Sequence, residues 1–174
     1  MKKQIIIAAA FSICLTSLMA QERFTADGSL TAKLEKEFQG AKDIEWNKEQ
    51  DTHFAQFSYR DESWLAYYHK GALVATARKI AGVQQLPVVV QRSLESFQES
   101  RSKKHGEFTM GPIYELTQNG STRYVIAMES TQNVMTVAID GTGYAAIKKK
   151  EPRTPALEGA STEQLIAKKN KNHD

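Results

Sequence analysis

The sequence predicts an α+β fold of two tandem units, each a helix packed on one face of an antiparallel β-meander. Three observations carry this expectation. Two amphipathic helical segments are each followed by four short extended runs. Tight turn signals separate those runs, and such turns join neighbouring antiparallel strands. The apolar positions of the two sets of strands also superpose at an offset of 71 residues, Phe57 to Met128, Trp64 to Met135 and Tyr68 to Ile139 among them.

The first twenty residues read as an address. Lys2 and Lys3 form a positive start, Ile5 to Leu18 is an apolar run, and Ala20 is a small residue before the polar Gln21-Glu22-Arg23. This is the layout of a secretory signal peptide, too short for a comfortable membrane span. The expectation is therefore a signal peptide over 1–20, no membrane span after cleavage, and a periplasmic or secreted protein.

The whole chain has 174 residues, with 23 Lys+Arg against 20 Asp+Glu. Removing 1–20 takes Lys2 and Lys3 and leaves the remainder close to neutral. Nucleic-acid binding needs clustered positive charge, so no nucleic-acid partner is expected. Cys14 is the single cysteine and leaves with the signal. Disulfides, thiol catalysis and thiolate metal sites go with it.

The body is expected to run over 21–150, with units at about 28–82 and 83–150. Leu30, Leu34 and Phe38 recur at helical spacing, with Ser29 as a cap and Gly40 beyond the end. Extended runs follow around Ile44-Glu45-Trp46 and over 53–59, 63–69 and 72–80, with turns at Asp61-Glu62 and Lys70-Gly71. Pro87 opens the second helix, where Val90, Leu94 and Phe97 share a stripe. The polar stretch SRSKKHGEF reads as a loop, and extended runs follow near 108–117, 121–130, 132–139 and 143–150. Asn119-Gly120 and Asp140-Gly141-Thr142-Gly143 mark turns. Residues 151–174 read as a linker and a short helix prone to fray.

Strand alternation assigns faces. Ala55, Phe57, Tyr59, Trp64, Ala66, Tyr68, Leu73, Ala75 and Ala77 are expected to face the first helix. Ile126, Met128, Met135, Val137, Ile139, Tyr144 and Ala146 are expected to face the second. The opposite face then carries Phe54, Tyr67, His69 and Arg78. Aromatics beside His and Arg match the composition of recognition surfaces. Those four are the candidate binding residues.

This layout resembles a family of secreted bacterial domains called β-lactamase-inhibitor-like, or PepSY-like. The residues that carry the resemblance are Phe38-Gln39-Gly40-Ala41-Lys42-Asp43-Ile44-Glu45-Trp46, the strand ending in Phe57, Ala66-Tyr67-Tyr68 before a glycine turn, and Leu86-Pro87. The resemblance spans about residues 28–150. It departs at His69-Lys70-Gly71, where the family has an Asp-rich turn. It implies helices packed on one face of an antiparallel sheet and no catalytic residues. The inhibitor label describes a shape.

Chemistry-bearing motifs are missing from the sequence. The four histidines have no metal-ligand spacing, and there is no GxSxG, P-loop or dinucleotide fingerprint. Asp140-Gly-Thr-Gly matches an aspartic-protease turn by letters alone and reads as a hairpin turn. No catalytic residue, cofactor or metal is expected. The function read from the sequence is a non-enzymatic binding module, inhibitor-like in form, that recognises an envelope protein or peptide through a sheet face. A small-ligand carrier or an envelope enzyme accessory is the alternative.

Overall fold

A computed structural model describes residues 26 and 28–153. The signal peptide and the C-terminal linker and helix expected from the sequence lie outside the described residues, except for the linker's first three. Helix α1 (Gly28–Glu37) is followed by β1 (Lys42–Glu49), β2 (Thr52–Tyr59), β3 (Glu62–His69) and β4 (Ala72–Ile80). A 3-10 turn (Val83–Gln85) leads into helix α2 (Val88–His105). Then come β5 (Thr109–Gln118), β6 (Ser121–Glu129), β7 (Asn133–Asp140) and β8 (Ala145–Pro152).

The eight strands form one antiparallel sheet in sequence order. This overturns the two tandem helix-plus-meander units. Strand β4 pairs with β5 over six residue pairs, from Ala75↔Gln118 to Ile80↔Ile113, so the meander does not stop at β4. An unpaired β4 edge would expose a row of backbone donors and acceptors, and pairing with β5 removes it. The resemblance's expectation of helices on one face of a sheet holds. Trp64, Arg78, Glu115, Tyr124 and Ile139 are successive register partners and share that face across β3–β7.

Each helix covers its own stretch of it. Leu30 and Leu34 of α1, with Phe38 just beyond, pack on Trp46, Ala55, Phe57, Ala66 and Tyr68. The Phe38 ring meets Phe57 edge-on at 4.8 Å. Lys33 Nζ donates to the Gly71 carbonyl at 2.6 Å and ties α1 to the β3–β4 turn. Val90 and Leu94 of α2 pack on Ile80, Ile113, Tyr124, Ile126, Met128, Val137 and Ile139. At Gly143, φ is +91°, and a Cβ there would lie 2.6 Å from Ser93 Oγ and 3.0 Å from Val89 Cγ2. Only glycine lets the β7–β8 turn approach α2 this closely.

Turn chemistry set the register of the hairpins. Arg60-Asp61 and Lys70-Gly71 all have positive φ and form two-residue turns, as do Asn119-Gly120. The first turn sits one residue earlier than Asp61-Glu62, but Phe57 still opposes Trp64. Helix α2 runs through to His105, so SRSKKH is helix rather than loop, and Gly106 ends it with φ +77°.

Candidate functional site

The four candidate residues do not share a face. A bulge in β4 is the cause. Tyr68 pairs with Leu73, but Tyr67 pairs with Ala75, which leaves Val74 as an extra residue. One extra residue reverses every side chain beyond it. Ala75 and Ala77 therefore lie on the face away from the helices, and Thr76 and Arg78 lie on the helix face. This reverses the alternation expected for β4. The end of β8 is corrected in the same way. Ala145 pairs with Ile139 and packs under α2, whereas Ala146 pairs with Ala138 on the far face and Tyr144 is 71% exposed.

On the helix face, Arg78 sits between the two helix-covered clusters in a polar network. Its Nη1 donates to Glu62 Oε1 at 3.0 Å, and its Nη2 and Nε donate to Glu115 Oε2 at 2.6 and 3.1 Å. The Tyr124 hydroxyl donates to Glu115 Oε1 at 3.4 Å. The hydrogen bond to Glu115 raises the Arg78 pKa further above its already high value. Arg78 is therefore a fixed cation engaged by two carboxylates, and its fork is not offered to a ligand on the far face.

Phe54, Tyr67 and His69 do lie on that far face, by register with Asn47, Phe54 and Thr52 respectively. The Phe54 and Tyr67 rings stack at 5.9 Å with an interplanar angle of 29°. Both are buried, as are Leu65, Ala75, Ala77, Leu116, Val125 and Ala138, and together these eight form one cluster across β2–β7. Every member is a strand residue. Around it Gln56 and Lys79 are exposed, and His69 and Arg123 are half-buried. The far face thus has a buried apolar floor and a polar, solvent-accessible rim.

Leu65 falls on the far face as strand alternation expects, whereas Leu116, Val125 and Ala138 were not singled out from the sequence. For Val125 and Ala138 the signal was present in the runs Tyr124–Met128 and Val134–Ile139, which are apolar at nearly every position. Such runs mark strands buried on both faces.

The remaining motifs have structural explanations. Asp140 Oδ1 accepts from Thr142 N at 2.9 Å, Thr142 Oγ1 at 2.6 Å and Tyr144 N at 3.1 Å. The hydrogen bond from the Thr142 hydroxyl, with those from the backbone, holds the Asp140 carboxyl below its usual pKa. An ionised carboxylate that closes its own turn explains the DGTG letters without proteolysis. Burial, with the Glu37 charge second, pushes the Tyr68 hydroxyl up to about 12. Among the described residues no three His, Cys, Asp or Glu side chains could hold a metal ion. No described helix is long and apolar enough to cross a membrane.

This arrangement has relatives among solved structures. A BLIP-like protein from Bacteroides fragilis aligns with a TM-score of 0.58 at 14% identity, covering 79% of this chain and 94% of that one. A DUF2874 family protein from Bacteroides ovatus aligns with a TM-score of 0.60 at 12% identity, covering 82% and 99%. A proposed periplasmic protein from Bacteroides eggerthii aligns with a TM-score of 0.61 at 16% identity, covering 80% and 99%. The chain thus has the BLIP-like fold, in agreement with the resemblance carried by its sequence. No family model matches the chain, and no curated protein matches it.

Proposed function

We propose that this protein is a non-enzymatic periplasmic or secreted module that recognises a protein or peptide partner through the sheet face away from its helices. The observation that carries this reading is the far-face cluster around Phe54, Leu65, Tyr67, Leu116 and Val125. It gathers two stacked rings and three branched aliphatics on a face to which neither helix contributes. The cluster itself is buried, so the surface open to a partner is its rim, where Gln56 and Lys79 are exposed and His69 and Arg123 half-buried. The periplasmic address is supported by the signal-like N-terminal sequence and by the description of the Bacteroides eggerthii neighbour. The BLIP-like neighbour is in keeping with an inhibitor-like form.

The rim supplies the test. Gln56→Glu and Lys79→Glu place negative charge on the far face at exposed positions, where substitutions cost little stability. Together they are expected to weaken capture of the envelope partner about tenfold, roughly 1.4 kcal/mol. The helix-face control Thr117→Glu is expected to leave capture unchanged. Equal loss with the control, or no loss with the pair, contradicts the reading.

A further inference from the structure

A cavity of about 490 Å³ opens on the far face where β6, β7 and the β7–β8 turn meet. Arg123, Asp140, Tyr144 and Lys148 line it with Ala138 and Thr142. Ala138 also belongs to the apolar far-face cluster, so the cavity continues that surface. Arg123 faces Asp140 in register, and Lys148 is the extra residue of a bulge between Ile147 and Lys149. Both cations are nevertheless unengaged. Among the described residues neither Arg123 nor Lys148 makes an ion pair or a side-chain hydrogen bond. Asp140 is occupied in closing its own turn.

We propose that this cavity receives a side-chain carboxylate of a polypeptide ligand, held by Arg123 and Lys148 with its aliphatic stem against Tyr144. The charge count selects the ligand class. Two cations beside one ionised aspartate leave a single positive charge, which one carboxylate neutralises. A dianionic phosphate would leave an excess of negative charge beside Asp140. Arginine offers a planar fork that matches carboxylate geometry, and lysine adds a point charge. The Tyr144 ring, 71% exposed, supplies the apolar wall that a glutamate stem needs. The proposal rests on the reading above only in that the carboxylate belongs to a polypeptide lying on the far face.

The test uses the full chain, isotope-labelled, titrated at low salt with three capped tetrapeptides. One carries glutamate beside a leucine, one glutamine in its place, and one phosphoserine. The glutamate peptide is expected to shift the amide signals of Arg123, Asp140 and Tyr144. It is expected to bind about tenfold more tightly than the glutamine peptide, and R123Q/K148Q is expected to abolish that difference with an unchanged melt. Glutamate and glutamine peptides binding within about twofold of each other would overturn the proposal, as would a phosphoserine peptide binding about tenfold more tightly than glutamate. Loss of glutamate selectivity with partner capture still sensitive to Gln56→Glu/Lys79→Glu would sink the carboxylate site and leave the far-face reading standing. Glutamate selectivity with capture insensitive to those changes would sink the far-face reading instead.

Discussion

The two faces of the sheet are both apolar, yet they are closed by different means. The helix face carries Phe57, Tyr68, Ile126, Met128, Met135 and Ile139, each fully buried, with Leu34, Val90 and Leu94 of the helices pressed between them. The far face reaches similar burial at Phe54, Tyr67 and Val125 in a cluster built from strands alone. The first face explains why the chain folds. The second is apolar without any helix residue, and what it leaves exposed is a polar rim with Gln56 and Lys79. The polar network of Arg78, Glu62, Glu115 and Tyr124 lies on the helix face between the helices, where it separates the aromatic cluster under α1 from the aliphatic cluster under α2.

The largest expected effect tests this contrast by truncation. Phe57→Ala removes a ring that is 2% exposed and touches Phe38, and is expected to cost about 3–5 kcal/mol. Leu65→Ala on the far face is expected to cost less, about 2 kcal/mol, because no helix closes over the space it leaves. Urea unfolding of the two variants measures the difference. A larger loss at Leu65 than at Phe57 would break the contrast.

Tyr68→Phe is expected to act in the opposite direction. The Tyr68 hydroxyl is buried and has no hydrogen-bond partner among the described residues. Its removal is expected to stabilise the fold at neutral pH by about 1 kcal/mol, since an unsatisfied buried polar group carries a desolvation cost. The pH dependence follows from the raised pKa. The folded state holds the phenol proton more tightly than the unfolded chain does. The related stability is complete below pH 10 and is lost as pH rises from 10 towards 12. Alkaline melts of Tyr68→Phe are expected to lack this loss.

The smallest expected effect is at Asp140. Its carboxyl pKa is held below the ordinary value of 3.8 by the Thr142 hydroxyl and the turn amides. The stability it contributes is present above that value and fades as pH falls below it towards the folded pKa. Asp140→Asn is expected to flatten the acid limb of the melting curve, with a slightly lower melt at pH 7 that converges on the native chain's at acid pH. A steeper acid limb in the variant would contradict the turn's role.

Much of the helix face was legible before any coordinates. Leu30, Leu34 and Phe38, then Val90 and Leu94, fell at helical spacing, and Phe57, Trp64, Ala66 and Tyr68 alternated correctly. The illegible parts have one physical origin. A bulge adds a residue without any compositional signal, so the extra Val74 reversed Thr76 and Arg78, while the longer β7–β8 turn reversed Tyr144, Ala145 and Ala146. The β4–β5 pairing is non-local, and no short motif announces it. Of the candidate site, Phe54 and Tyr67 were legible as far-face aromatics, and His69 lies beside them. Leu116, Val125 and Ala138 were not, because apolar residues on both faces erase the alternation by which a face is read.

The central claim is that the partner lies on the far face. Site-specific photocrosslinking reads this directly, with a photoreactive side chain placed in turn at Gln56 and Lys79 on the far face and at Thr76 and Thr117 on the helix face. All four positions are exposed or half-buried. The account predicts a covalent adduct with the same envelope protein from both far-face positions and none from the helix-face pair. Adducts from Thr76 and Thr117, with none from Gln56 and Lys79, would contradict it.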